Sequence, residues 1–267
     1  MAGILIINPD NPTGMVYPLE ALQRIVAIAE EFNLLLISDE IYNNITYNGA
    51  RAYSLSEVIG KVPGIAMKGI SKEVPWPGAR AGWMEFYNRS SDPDFSRLCG
   101  ILEDVKMTEV CSTTLPQYAI PLILSAPEYA SYRKEKNNEI GRRSKIITDI
   151  LSDVPVIKFN ETYGAFYNAI VFEERVFKEG QKLESDNPAI LDLLDKWFEG
   201  KNYAPDKRFA YYLLATEGVC VVPLSSFHSD LFGFRVTLLE ENEELLKTTF
   251  HKIRTAVLDY CGVTVKA

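Results

Sequence analysis

Short apolar runs alternate with a helical pattern at the start of the chain. Gly3 to Ile7 is a β-branched run that ends in the turn sequence NPDNPTG, and Leu34 to Ser38 is a second apolar run. Between them, after Pro18, apolar residues recur at helical spacing from Leu19 to Phe32. A buried strand, an amphipathic helix and a second buried strand in this order predict a βαβ unit.

Two further strand patterns, Gly64 to Ile70 and Ala79 to Phe86, extend this sheet. Helical patterns follow near residues 93–107, 114–125 and 127–152. Continuous apolar runs are typical of strands that helices cover on both faces, so we expect an α/β fold with a mostly parallel sheet and flanking helices. We assign residues 1–135 to this larger domain.

The second half of the chain has the mixed pattern of a small α+β domain, which we place at residues 136–267. Strand patterns lie at residues 154–159, 165–172, 219–222 and 234–239, and helical patterns lie at 187–199, at 206–217 and at the end of the chain to about Tyr260. The polar segment Glu173 to Asp186 is predicted to be a loop.

Composition and charge exclude several classes of protein. The 267 residues are 47% hydrophobic, which is too much apolar material for a disordered chain. The formal charge of −8 argues against a sequence-independent grip on nucleic acid or an anionic membrane, and no apolar stretch is long enough to span one. The four scattered cysteines are typical of a reducing compartment, so we predict a cytoplasmic protein. The same cysteines and the two histidines lack the spacing of a zinc framework, so we predict no metal site.

Polar residues follow three of the predicted strands. Asn11, Asp39 and Lys72 lie at or just beyond strand ends, where open α/β sheets bind their ligands. Each has an ordinary structural explanation when taken singly, because Asn is favoured in turns, Asp caps turns and an arbitrary Lys is usually a solvated surface charge. Their combination is more informative.

Three motifs occur in order at predicted strand ends. They are NPDNPTG at residues 8–14, SDEIY at residues 38–42 and GISKEVPWPGARAGW at residues 69–83. Asn11 precedes Asp39 by 28 residues, and Arg80 follows Lys72 by eight. In order and in spacing, the motifs resemble those of the class I/II aminotransferases, which are fold type I pyridoxal-phosphate enzymes.

The resemblance implies a role for each matched residue. Lys72 would form a Schiff base with pyridoxal 5'-phosphate and move a proton to and from the substrate. Asp39 would face the pyridine nitrogen and keep it protonated. Asn11 and Tyr42 would hydrogen-bond the phenolic oxygen of the ring, and Asn11 would also face the substrate.

The phosphate and the substrate carboxylate have their own implied partners. Ser71 and Arg80 would lie near the cofactor phosphate, where a guanidinium offers charge-assisted hydrogen bonds. The segment GFRVTLL at residues 233–239 resembles the strand whose arginine binds the substrate α-carboxylate, which makes Arg235 the substrate-binding residue.

The chain also departs from the family. Gly69 stands where many members have a hydroxyl residue that contacts the phosphate. The segment that the family has before the NPDNPTG motif, with its phosphate-binding loop, has no counterpart here. We therefore expect the C-terminal part of a fold type I transferase, truncated at its N-terminus, with weak cofactor binding and negligible turnover by this chain alone.

The resemblance implies transfer of an amino group between an amino acid and a 2-oxo acid, by a homodimer in the full-length enzyme. A pyridoxal-phosphate C–S lyase or another β-eliminating enzyme uses the same Lys, Asp and Tyr and stays open as an alternative. A catalytically inactive, truncated scaffold is the second alternative. A ligand-sensing domain of a transcription regulator fits less well, because the chain is acidic and shows no DNA-binding module.

Overall fold

A computed structural model describes residues 2–178 and 180–264 of the chain. The chain forms two compact units. The first contains Met1–Asn11, Met15–Glu139 and Tyr163–Ala165, and the second contains Pro12–Gly14, Ile140–Thr162 and Phe166–Ala267. The domain boundary that we placed at residues 135 and 136 stays a prediction.

The first unit is built on a four-stranded sheet. Its strands, in spatial as well as chain order, are β1 (Gly3–Ile7), β2 (Leu35–Asp39), β3 (Gly64–Gly69) and β4 (Gly82–Tyr87). The first three strands are parallel, and β4 pairs antiparallel with β3. Its helices are α1 (Leu19–Glu31), α2 (Leu55–Val58), α3 (Pro93–Met107), α4 (Thr114–Leu124) and the first part of α5 (Tyr129–Leu151). The predicted α/β class is confirmed.

Both faces of this sheet are covered, which explains why its strands are continuous apolar runs. On one face Leu36 and Ala66, both fully buried, pack in a cluster with Ala29 of α1 and Leu55 of α2. On the other face a separate cluster contains Leu35, Ile65, Phe95 and Cys99. Successive residues of a strand point to opposite faces, so Leu35 and Leu36 serve different clusters.

The second unit has an antiparallel sheet with helices. Its strands are β5 (Ile157–Phe159), β6 (Tyr167–Phe172), β7 (Val222–Pro223) and β8 (Gly233–Thr237), in the spatial order β5-β6-β8-β7. Its helices are the remainder of α5, α6 (Pro188–Phe198), α7 (Pro205–Glu217) and α8 (Glu243–Cys261). This is the small α+β arrangement that the sequence predicts.

Local signals account for the accuracy of the predicted helix ends. The Asp92 side chain accepts a hydrogen bond from the Phe95 amide at 2.7 Å, and Pro93 opens α3. Helix α7 ends at Gly218, whose φ of 71° is the left-handed conformation that favours glycine. The four-residue helix α2 is too short to show a helical pattern in the sequence, and it was not predicted. No helix in residues 2–178 and 180–264 has the length and apolar character needed to cross a membrane.

Truncating the centre of the first sheet should destabilise it far more than truncating its edge. Leu36→Ala should lower the free energy of unfolding by about 2–5 kcal/mol, because Leu36 is fully buried on the central strand β2. Leu5→Ala should cost less than about 1 kcal/mol, since Leu5 is 60% exposed on edge strand β1. Urea unfolding of both variants measures the difference, and equal costs would contradict the assigned core.

Candidate active site

The parallel strands of the first sheet end at one common edge. In the register of the sheet, Ile7 lies beside Asp39, and Asp39 lies beside Met67. The hydrogen bonds continue one residue further, with the Asn8 amide donating to the Asp39 carbonyl at 3.2 Å and the Glu40 amide donating to the Met67 carbonyl at 2.9 Å. All three predicted motifs therefore begin at this edge.

The NPDNPTG turn is held by its first asparagine. Asn8 is 1% exposed, and its side-chain oxygen accepts a hydrogen bond from the Tyr17 amide at 3.0 Å. The Asp10 amide donates to the Met15 carbonyl at 2.9 Å, which closes the turn around half-buried Asn11. Gly14 has a φ of 70°, a conformation that disfavours any side chain. Nothing in the local sequence pattern distinguishes this structural asparagine from the other residues of the turn.

The SDEIY motif turns sharply after β2. The Asp39 carboxylate accepts a hydrogen bond from the Ile41 amide at 3.1 Å, which orients this half-buried side chain at the strand end. Tyr42 is 4% exposed, and its carbonyl accepts from the Ile45 amide at 2.8 Å. The motif thus brings a carboxylate and a buried phenol to the same turn.

Lys72 lies in the loop that follows β3. The Trp76 amide donates to the Ile70 carbonyl at 3.2 Å and closes this loop around half-buried Ser71 and Lys72. A 3-10 turn then leads to Arg80, whose exposed guanidinium donates to the Pro77 carbonyl at 3.0 Å. Ser71 and Lys72 therefore follow the end of β3 directly, whereas Arg80 lies further on, beside β4.

A buried acid beside Asp39 was missed by the sequence analysis. Glu40 is 3% exposed and accepts hydrogen bonds from the Leu55 amide at 2.5 Å and the Ser54 hydroxyl at 2.8 Å. It thereby binds the N-terminus of α2, where backbone amides favour an anion. The Lys68 ammonium lies 3.5 Å from the same carboxylate. The available sequence signal for a buried acid here was Lys68, a charged residue within the otherwise apolar strand β3.

Lys68 also pairs with Glu85 of β4 at 2.9 Å, and the Tyr87 hydroxyl donates to Glu85. Burial alone would lower the pKa of Lys68, but the hydrogen bond with Glu85 and the charges of Glu40 and Glu85 raise it. Burial alone would raise the pKa of Glu85, but hydrogen bonds from Tyr87, Lys68 and Trp83 lower it. Burial and the bond to Glu85 raise the pKa of Tyr87 to about 12.

Arg235 belongs to the second unit. It lies on β8, opposite Ala169 of β6 on one side and Val222 of β7 on the other. Its guanidinium carbon is 4.5 Å from the centre of the Tyr167 ring and 5.2 Å from that of Phe227. Two aromatic rings thus orient this half-buried side chain.

No cluster suited to a metal ion is found. Within residues 2–178 and 180–264, no three His, Cys, Asp or Glu side chains come together as ligands could around a cation.

The sequence matches the family described as aminotransferase class I and II over residues 1–249. The chain belongs to this family. It is 44% identical over 260 residues to an uncharacterized aminotransferase of Methanocaldococcus jannaschii, with 97% of this chain and 60% of that protein covered. It is 37% identical over 172 residues to a tyrosine aminotransferase of Caenorhabditis elegans, which covers 61% of this chain and 35% of that protein. The chain therefore spans less than two thirds of either relative.

Solved structures show the same fold. An alanine aminotransferase from Pyrococcus furiosus superimposes with a TM-score of 0.74 at 28% identity, over 95% of this chain and 57% of that one. An aromatic aminotransferase from Pyrococcus horikoshii has a TM-score of 0.76 over 96% of this chain, and at 23% identity this likeness shows the fold alone. The fold that the motifs imply is confirmed, while the roles of the individual site residues stay predictions.

The ion pair between β3 and β4 should make stability pH-dependent. The pKa of Glu85 lies below its ordinary value of 4.5, so its contribution to stability is fully present above pH 4.5 and is lost as the pH falls through the lowered pKa. Glu85→Gln should therefore be less stable than the wild type near pH 7, and the difference should shrink as the pH falls below 4.5. Urea unfolding at several pH values measures this difference.

Glu135→Gln provides the matched control for this prediction, because Glu135 is exposed on α5. A Glu85→Gln difference that stayed constant from neutral to acid pH would contradict the assigned ion pair.

Proposed function

We propose that this chain carries the catalytic lysine of an aminotransferase that uses pyridoxal 5'-phosphate to move an amino group between an amino acid and a 2-oxo acid. The observation that carries the proposal is that a carboxylate and an amine follow two adjacent strands at the same edge of one sheet. Asp39 ends β2, and Lys72 follows the end of the adjacent strand β3 in a chain of the aminotransferase family.

The donor set fits this cofactor. When bound, pyridoxal phosphate supplies an aldehyde that forms a Schiff base with an amine and a ring that withdraws electrons from the substrate α-carbon. Lys72 offers the amine for the Schiff base and would carry the proton to and from that carbon. Asp39, whose carboxylate is oriented by the Ile41 amide, would hold the proton on the pyridine nitrogen.

The remaining residues of the first unit would hold the ring and the phosphate. Asn11 and Tyr42 would hydrogen-bond the ring oxygen, and Asn11 would also face the substrate. Ser71 and Arg80 would bind the phosphate, and the bond from Arg80 to the Pro77 carbonyl uses only one of the guanidinium's five donors.

Arg235 is our proposed ligand for the substrate carboxylate. A guanidinium suits this task because its planar fork matches a carboxylate with two parallel hydrogen bonds. The stacking rings of Tyr167 and Phe227 would hold that fork in one orientation. We also propose that the full-length protein is a cytoplasmic homodimer, as the resemblance and the cysteine pattern imply.

The similar proteins favour transamination over β-elimination. The same Lys, Asp and Tyr could serve a lyase, but the relatives and the solved structures described above are named as aminotransferases. The two reactions differ in one requirement, because only transamination consumes a 2-oxo acid. Loss of amino donor that depends on an added 2-oxo acid would support the proposal, and release of pyruvate and ammonia without one would support the lyase.

The proposal predicts a single labelled lysine. After incubation with pyridoxal phosphate and reduction with borohydride, mass spectrometry of the digested chain should find the phosphopyridoxyl group on Lys72. Lys72→Ala should abolish the adduct. Lys145→Ala should leave it unchanged, because Lys145 is an exposed lysine of α5. Low labelling spread evenly over many lysines would contradict the proposed Schiff base.

Replacing Arg235 should weaken the binding of carboxylate substrates without unfolding the chain. In the full-length protein, Arg235→Lys should raise the KM for the amino acid about tenfold or more, because the forked pair of hydrogen bonds is lost while the positive charge stays. Arg254→Lys is the matched control, since Arg254 bonds Asp153 on the surface of the second unit. An unchanged KM would exclude Arg235 as the carboxylate ligand.

A further inference from the structure

We infer that Glu73 is a positioning residue for Lys72. Its carboxylate, clamped by Asn44 and Tyr129, fixes the loop that carries the lysine. The inference rests on the proposed function for the role of Lys72, whereas the clamp itself consists of contacts within the first unit.

The clamp uses both oxygens of the carboxylate. Glu73 Oε2 accepts a hydrogen bond from Asn44 Nδ2 at 2.6 Å, and Oε1 accepts one from the Tyr129 hydroxyl at 2.8 Å. Both bonds are partly buried and short, as is typical of hydrogen bonds to an ionised group. A carboxylate suits these partners because both of its oxygens accept and both hydrogen bonds are charge-assisted, whereas a glutamine offers one acceptor oxygen and only neutral, weaker bonds.

The partners of Glu73 are themselves held by one face of α5. Tyr129, Arg133 and Asn137 follow one another at intervals of four residues and so share a helix face. The Arg133 guanidinium donates to Asn44 Oδ1 and lies 5.2 Å from the centre of the Tyr129 ring. Asn137 Nδ2 donates to the Asn44 carbonyl at 2.9 Å. Asn44 is thus fixed through its side chain and its backbone.

The Tyr129 hydroxyl is suited to act as a hydrogen-bond donor because its surroundings disfavour the loss of its proton. Burial raises the pKa of Tyr129, and the neighbouring charge of Glu73 raises it further, against a smaller opposing effect of Arg133. The hydroxyl therefore keeps its proton throughout the neutral range and continues to donate to the carboxylate.

The clamp connects the loop that carries Lys72 with the turn that carries Asp39. Glu73 directly follows Lys72, and Asn44 lies two residues after Tyr42 in the turn that also carries Asp39. The Lys72 loop is closed at its ends by one backbone hydrogen bond, from Trp76 to Ile70. Glu73 adds an anchor at the middle of the loop and ties it to the turn with Asp39. Such an anchor is valuable because a misplacement of about 1 Å can cost about 100-fold in rate.

The first test measures how accessible the Lys72 amine is to acetylation in the absence of cofactor. Competitive acetylation of the chain gives the rate of modification of Lys72 relative to that of exposed Lys145. Glu73→Gln should raise this ratio about tenfold, because the loss of a charge-assisted clamp lets the loop open more often. Glu135→Gln should leave the ratio unchanged, since Glu135 is an exposed carboxylate on α5.

A second variant keeps the inference testable if Glu73→Gln does not fold, as judged by circular dichroism. Tyr129→Phe removes one hydrogen bond and keeps the ring, and it should raise the ratio in the same direction by about threefold. In a double variant the two effects should be less than additive, because both substitutions break the same clamp. An unchanged ratio in a folded variant would overturn the inference.

The second test uses the full-length protein with pyridoxal phosphate, because we expect negligible turnover by this chain alone. Glu73→Gln should lower kcat by about 100-fold and leave the KM for the amino acid within about twofold, because the lysine is displaced while substrate binding is kept. Because a smaller folded fraction would also lower the apparent kcat at an unchanged KM, kcat is expressed per folded chain, with the folded fraction measured by circular dichroism.

The outcomes separate the two proposals. If wild-type Lys72 forms no adduct with the cofactor while Glu73→Gln still alters its acetylation, the proposed function fails and the positioning by Glu73 stands. If wild-type Lys72 forms the adduct and neither variant alters its acetylation or kcat, the proposed function stands and the role of Glu73 is wrong.

Discussion

The structure depends on the hydrogen-bonded pairing of three parallel strands. Because β1, β2 and β3 run in the same direction, their carboxyl ends meet at one edge of the sheet. The register of the pairing sets Ile7, Asp39 and Met67 side by side, and β3 runs two residues further, to Gly69, before its loop begins. A slip of one residue would move every side chain of a strand to the opposite face of the sheet. The buried clusters on both faces oppose such a slip.

In two of the three motifs, the residue proposed for chemistry is followed by an acid that holds the backbone. Asp39 is followed by buried Glu40, which binds the N-terminus of α2 and Lys68. Lys72 is followed by Glu73, which binds Asn44 and Tyr129. Asp39 also helps to hold its own turn, because its carboxylate accepts a hydrogen bond from the Ile41 amide. The two neighbouring carboxylates add contacts that anchor the turn and the loop and keep buried polar groups satisfied.

Much of the fold could be predicted because its signals are local. The start of α3 follows from the Asp92 cap and Pro93, and the end of α7 follows from Gly218. Periodicity identified the strands but not the antiparallel direction of β4, since pairing direction is a property of two segments together. The motifs identified the candidate residues of the site. They did not reveal the residues that hold them, because Glu40 and Glu73 resemble ordinary surface acids when read along the chain.

The sequence by itself determined the family, the order of the elements and the candidates for the reacting groups. Each of these is written in spacing and periodicity over short stretches of chain. Only the tertiary structure decided what supports Lys72, because Asn44 and Tyr129 are 29 and 56 residues away from Glu73 along the chain. Contacts between residues so far apart leave no local pattern. They arise when the packed sheet and α5 bring their side chains within hydrogen-bonding distance.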